Sequence, residues 1–342
     1  MSEQTNIEWC DSTFNSWEGC TKVSPGCDHC YAEARNGRFH AGANWGPGAP
    51  RLIRSDAYWR EPLKWERDAL HFIHVHGRRR RVFCSSLADV FDNEAPAGQR
   101  ERLWALIRAT PNLNWLLLTK RIGNAARMLP EDWGDGYDNV WLGSSIVNQE
   151  EANRDIPKLL TTPAKIRFLS MEPLLGPVDL TRIIRTSAES EWAYCDNALT
   201  GFRASKAGGT FGPKVNQVIV GGESGLGARP MHPTWARSLR DQCTVAGVPF
   251  LFKQWGEWLP WLEFGRVGID DAIEQTRYRT TIWQDDHWED CGFPIWCDMQ
   301  DNYGGGANGP NEPDQIMGRV SKKAAGRLLD GVTHDGFPES RL

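Results

Sequence analysis

Apolar residues fall into short, nearly continuous runs that each end in polar groups and are followed by a stretch with helical spacing. Six runs are clear: Arg81 to Ser86, Trp115 to Lys120, Val140 to Ser145, Ile166 to Glu172, Val218 to Glu223 and Val248 to Lys253, with a further one around Thr13 to Trp17. Such continuous apolarity suits strands buried on both faces, as in parallel sheets. Between them, Gln99 to Ala109 places Leu103, Leu106 and Ile107 on one helical face. Thr234 to Ala246 places Trp235, Leu239, Cys243 and Ala246 on one stripe, with Gly247 as its C-terminal stop. This alternation predicts an α/β fold: a complete or partial parallel (βα) TIM-type barrel, with a doubly wound open sheet as the alternative.

Two segments break the rhythm. Thr186 to Pro213 is too long for an ordinary connection and reads as an inserted lid or a surface excursion. From Trp258 onward the chain is rich in Trp, Gly and Asp, and the βα beat stops until Val320 to Leu329, which predicts one short closing helix. The expected division is a βα barrel over 1–258, carrying the cysteine loop described below, and an irregular C-terminal extension over 259–342 that packs on it.

Composition narrows the classes. With 342 residues, 40% hydrophobic and 24% charged, the chain is long enough for a sizeable core and falls in the globular range. No apolar run is long enough to span a membrane, and the first residues lack the basic and apolar regions of an export signal, so a cytoplasmic address is expected. There the nine cysteines would stay mostly reduced, which favours metal or redox roles for clustered ones. The net charge of -5 gives no global attraction to nucleic acid, although a local basic lining remains open.

The densest candidate chemistry is Gly19-Cys20-Thr21-Lys22-Val23-Ser24-Pro25-Gly26-Cys27-Asp28-His29-Cys30-Tyr31. Three thiols on one turn-rich stretch have no apolar periodicity to explain them as core, so metal binding is the better reading. Spacing alone leaves two options. Zinc would take a fourth ligand such as His29 or His40, while an iron-sulfur cluster held by three cysteines would keep one iron free of protein. Cys291 and Cys297 form the only later pair of interest.

Cys27-x-x-Cys30-Tyr31 resembles the second half of the radical S-adenosylmethionine signature, C-x-x-x-C-x-x-C followed by an aromatic residue. Cys20 departs from it, with six residues rather than three before Cys27. A closer resemblance is to a phage-borne and bacterial three-Cys-motif family, largely uncharacterised and radical-SAM-like. It rests on Trp17-Glu18-Gly19-Cys20 through Cys27, Leu118-Thr119-Lys120-Arg121, Trp141-Leu142-Gly143, Glu172-Pro173-Leu174-Leu175-Gly176-Pro177, Gly221-Gly222-Glu223-Ser224-Gly225 and Phe252-Lys253-Gln254-Trp255-Gly256. The resemblance implies a 4Fe-4S cluster on Cys20, Cys27 and Cys30, whose open iron takes the amine and carboxylate of S-adenosyl-L-methionine. One-electron cleavage then gives a hydrogen-abstracting 5'-deoxyadenosyl radical. It also implies an electron donor protein, a companion protein encoded nearby, and a nucleotide or nucleic-acid base as substrate for modification or repair.

Polar groups at the strand ends supply the remaining candidates, because in barrels these ends share the face that carries active sites. Glu172, Glu223, Lys120 and Lys253 are assigned to catalysis, Asp89 and Ser144 to the cofactor, and Arg121, Gln254 and Trp255 to substrate, with Trp255 as a stacking plate. Gly221-Gly222-Glu223 resembles the stretch that contacts the methionine amine in radical S-adenosylmethionine enzymes, but it follows a late strand. Glu223 is therefore taken as a cavity residue, and Asp89 occupies the earlier place. The run Arg78-Arg79-Arg80-Arg81 should lie at the opposite end, as a solvated strand entrance in preference to a phosphate grip. Two other classes stay open: a zinc-stabilised nucleic-acid-binding or adaptor protein, and a hydrolase or lyase with Glu172 and Glu223 as an acid-base pair.

Overall fold

The computed structural model describes residues 4–187, 190–206, 208–268, 279–284, 286–292 and 316–339. Seven parallel strands form one sheet: β1 (Ser12–Phe14), β2 (Arg80–Cys84), β3 (Leu113–Thr119), β4 (Val140–Ser145), β5 (Ile166–Met171), β6 (Gln217–Gly221) and β7 (Phe250–Gln254). Each pairs with the next in chain order, and β1 and β7 are the two edges. The architecture is a curled half-barrel, so the partial form of the expected barrel is the one present.

Strict alternation builds both faces. Phe83, Leu116, Trp141, Phe168, Ile219 and Leu251, one from each of β2 to β7, meet in a single inner cluster plugged by Trp9 and Cys10. Burying each large side chain contributes roughly 1.5–3 kcal/mol. Gly143 makes room for this layer, since a Cβ there would lie 2.4 Å from the Phe168 ring. The alternate residues, among them Val82, Trp115, Leu142, Leu169, Val220 and Phe252, point outward into the larger core. The helices include α1 (Tyr31–His40), α2 (Gln99–Arg108), α3 (Ile122–Met128), α4 (Gln149–Thr161) and α5 (Pro233–Ala246). Helix α4, which the apolar pattern did not single out, starts with a reciprocal cap. The Asn148 side chain accepts from the Glu151 N–H, and Glu151 accepts from the Val147 N–H.

The interruption after β5 is a surface excursion. It forms two hairpins, Ile183–Ser187 with Ser190–Asp196 and Phe202–Ser205 with Gly208–Phe211. The first docks on α4, where the Ile184 N–H donates to Asn153 at 2.9 Å. No described residue of either hairpin lines the cavity at the strand ends, so the lid expectation is not met. The C-terminal extension is more regular than expected. Trp258–Pro260, Ile316–Arg319, Thr280–Gln284 and His287–Gly292 form an antiparallel sheet in that order, followed by a short helix at Lys322–Ala325. The last described residues return to the barrel. Phe252 N–H donates to the His334 carbonyl and Gly336 N–H to Phe250, so the open edge of β7 is covered.

The arginine run also differs from expectation. Arg80 and Arg81 are buried, with Arg80 over the Phe72 ring and Arg81 stacked 3.4 Å from the Phe337 centroid, while Arg78 clamps Asp11 through two bonds. Arg80 and Arg81 are thus withdrawn from solvent at the start of β2, while Arg78 and Arg79 stay partly exposed as expected of a strand entrance. The side chains of Cys291 and Cys297 lie outside the described residues.

Candidate functional site

The inward parity that fills the barrel continues past the strand ends into a cavity of about 440 Å³, within the usual range for small-molecule sites. Ser85 follows Phe83, Lys120 follows Leu116 and Leu118, Ser145 follows Trp141 and Gly143, and Glu172 follows Phe168 and Ser170; all of these polar groups line the cavity. Glu223, Lys253 and Gln254 complete the polar wall from β6 and β7, and Trp9, Phe83 and Leu118 form an apolar floor. Cys20, Cys27 and Cys30 line the same cavity from the loop that covers its mouth. Sequence positions more than two hundred residues apart are thus gathered at one place.

Local chemistry explains why the loop holds its shape. Ser24 caps the short 3-10 turn Pro25–Cys27 by accepting from the Gly26 N–H. Gly26 is pressed against the strand ends, where a Cβ would lie 2.7 Å from Val147. Gly19 has φ +121 and sits against the Asn44 carbonyl, so only glycine fits there. Before the loop, Glu18 is fully buried. It accepts from Arg35 through two bonds, from Arg54 at 2.6 Å and from Asn36, which fixes α1 behind Cys30. Burial opposes ionisation of Glu18, but these donors outweigh it and hold its pKa below the ordinary value.

A second clamp ties the loop to the sheet. Arg229 donates to both oxygens of Glu223, to Asp28 at 3.0 Å and to the Pro25 carbonyl at 2.9 Å. His29 Nδ1 lies 2.9 Å from Glu223 Oε2. Glu223 is therefore a positioning residue for the cysteine loop, with its oxygens engaged. Burial is again outweighed by Arg229 and His29, and its pKa is lowered. A third chain of contacts reaches Cys20. Asp89 accepts from Thr119, from the Lys120 N–H and from Arg121, and Arg121 in turn places Nη1 3.3 Å from Cys20 Sγ. Burial pushes the Cys20 thiol up to about 11 despite the opposing pull of Arg121, and burial also raises Cys30.

The rest of the polar wall differs from these saturated clamps. Lys253 Nζ lies 2.8 Å from Glu172 Oε2, and although burial disfavours its charge, Glu172 raises its pKa. Among the described residues, Glu172 Oε1 and Gln254 Oε1 are buried acceptors with no hydrogen-bond donor. Lys120 donates to Ser145 at 3.3 Å and, among the described residues, has no carboxylate partner.

Two expected residues are not in the cavity. Ser144 points to the opposite face, and its neighbour Ser145 takes the inward position, as the period of two requires. Trp255 is fully buried, packs on Phe252 at 5.0 Å between ring centroids and donates its indole N–H to the Leu328 carbonyl. A register shift between Val220 and Gly221 pairs Gly221 with Gln254, and beyond it Trp255 turns to the outer layer. It is not a stacking plate. Residues the sequence did not single out are Glu18, Arg51 and Arg229. Arg51, also buried, holds Asp92, Glu94 and the Thr21 hydroxyl beside Cys20. Glu18 stood in the sequence only as part of the Trp17-to-Cys27 string, and nothing local marked Arg51 or Arg229.

Searches of curated proteins and of solved structures each returned no match. A family model described as "Protein of unknown function (DUF5131)" matches residues 4–338, which covers the half-barrel, the cysteine loop and the returning tail. The chain belongs to the DUF5131 family.

Proposed function

We propose that the protein is a radical S-adenosylmethionine enzyme that holds a 4Fe-4S cluster on Cys20, Cys27 and Cys30 and acts on a nucleotide or nucleic-acid base. The observation that carries this reading is the placement of all three thiols on the wall of the same cavity as the polar strand ends. The donor set fits such a group. Three sulfur ligands from one loop are the soft set that iron-sulfur clusters take. Among the described residues no group of three His, Cys, Asp or Glu side chains is arranged to hold a metal ion, so the fit rests on the donor set and on the shared cavity wall. Glu223 engages only Nδ1 of His29, the contact that also orients a histidine ligand, so iron, sulfide and zinc analysis separates a three-thiol cluster from a zinc ion that adds Nε2.

When bound, the cluster and S-adenosylmethionine would together supply one-electron sulfonium cleavage and hydrogen abstraction. The chain's own residues do the rest. Arg121, fixed by Asp89, donates toward Cys20 Sγ and favours its thiolate form. Lys120 and Ser145 present donors to an anionic or carbonyl group. Glu172 Oε1 and Gln254 Oε1 await N–H or O–H donors from a ligand, since an unmet buried acceptor is costly. Trp9, Phe83 and Leu118 exclude water from the floor. The test is anaerobic incubation of iron- and sulfide-loaded protein with dithionite and S-adenosylmethionine. Formation of 5'-deoxyadenosine that is lost in Cys27→Ala is expected; a colourless protein with one tight zinc and no cleavage contradicts the proposal.

A further inference from the structure

A second recess, of about 250 Å³, opens beside the cavity and shares Lys120 and Arg121 with it. Val23 lines the recess while its loop neighbours Lys22 and Gly26 line the cavity, so this stretch of the cysteine loop is the partition between them. The far wall comes from α4. Arg154 and Lys158, each nearly half exposed, bracket Asp155, whose carboxylate is almost wholly buried. Asp155 and, 3.5 Å from Arg154, the buried Glu151 face these two cations, and Lys120 adds a charge that no described carboxylate answers. Arg121 is matched by Asp89, so the excess positive charge at the recess is that of Lys120, while Arg154 and Lys158 keep solvent-facing donors. Asn124, anchored to the Phe91 carbonyl, contributes an uncharged polar wall.

We propose that this recess binds a phosphate group of the substrate whose remaining part enters the cysteine-lined cavity. Arg154 and Lys158 contact the phosphate oxygens on the outer side, and Lys120 lies at the junction of the two spaces. The inference rests on the nucleotide reading above and deepens it, because it requires a phosphorylated substrate and excludes a free nucleoside or base. Solvent-facing Arg and Lys around a cleft supply charge-assisted contacts to phosphate that weaken with salt.

The test compares a nucleoside, its 5'-monophosphate and a short single-stranded oligodeoxynucleotide. Binding to the full-length protein is followed by isothermal titration, with and without iron and sulfide loading, at two salt concentrations. The monophosphate should bind tighter than the nucleoside, and the double variant Arg154→Gln/Lys158→Gln should weaken it about tenfold while leaving the nucleoside unchanged. Asp155→Asn, which removes one competing carboxylate and keeps both cations, should tighten it. An oligodeoxynucleotide that binds more strongly than the monophosphate, with a steeper salt slope that the double variant flattens by about one, identifies a strand phosphodiester. An oligodeoxynucleotide with a 5'-hydroxyl end that binds more weakly than the monophosphate identifies a terminal phosphate. The proposal is overturned if nucleoside and monophosphate bind alike, or if neither variant changes the monophosphate in the stated direction. A protein that fails to take up iron but keeps the phosphate effect refutes the cluster and not the recess.

Discussion

Replacing Arg229 with Met keeps most of the side-chain bulk and removes four side-chain hydrogen bonds that tie the cysteine loop to the sheet, two to Glu223 and one each to Asp28 and Pro25. Abandoning a buried charge typically costs about 3–5 kcal/mol. Here Glu223 keeps His29 and the backbone N–H of residue 229, and Arg229 is 30% exposed, so the loss should be about 2–3 kcal/mol, felt locally in the loop. At roughly 1.4 kcal/mol per factor of ten, the open population of the loop rises roughly 30- to 150-fold. Pulsed alkylation of the reduced, metal-free protein, read peptide by peptide, measures this at Cys27, which is buried in the closed loop. Cys84 and Cys243, buried in the outer core, are internal controls. Labelling of Cys27 at the wild-type rate, or equal acceleration at all three thiols, would refute the clamp.

Other consequences are as direct. Glu18 and Glu223 are held below their ordinary pKa of about 4.5, so their contribution is full above that value and is lost as pH falls through the depressed folded values. The urea midpoint should therefore drop below about pH 4.5, less steeply in Arg229→Met; a midpoint independent of pH in that window contradicts the assignment. Gly222→Ala puts a Cβ 1.9 Å from the Trp255 carbonyl and should abolish soluble expression, whereas Gly221→Ala meets only ordinary contacts and should fold normally by circular dichroism. Trp255→Phe should cost about 1 kcal/mol through its lost bond to Leu328 and leave ligand affinity unchanged, while Lys120→Met should weaken affinity with little change in stability. Ligand binding abolished in Trp255→Phe would return that indole to the site.

The βα rhythm and the polar strand ends were legible because residues buried on both faces leave long apolar runs, and because the period of two carries through to Lys120, Ser145 and Glu172. The same period, counted from Trp141, would have selected Ser145 over Ser144. Trp255 was misplaced because a register shift reverses facing without any mark in the local sequence. Arg229 was illegible for a different reason: its partner Asp28 lies 201 residues away, and only the fold brings them together. Arg80 and Arg81 looked like a solvated run because charge alone does not reveal that Phe72 and Phe337 cover them. Nor did the tail around His334 carry a strand pattern, because its pairing with β7 is short and lies at a sheet edge.

We propose that the three thiols on one cavity wall hold a cluster with a free coordination position. It is tested most directly by anaerobic reconstitution followed by iron and acid-labile sulfide analysis of the wild-type chain and of Cys20→Ala/Cys27→Ala/Cys30→Ala. About four irons and four sulfides per wild-type chain, with neither retained by the triple variant, is the predicted result. Stoichiometric zinc in the wild type, or iron and sulfide undiminished in the triple variant, would contradict the account.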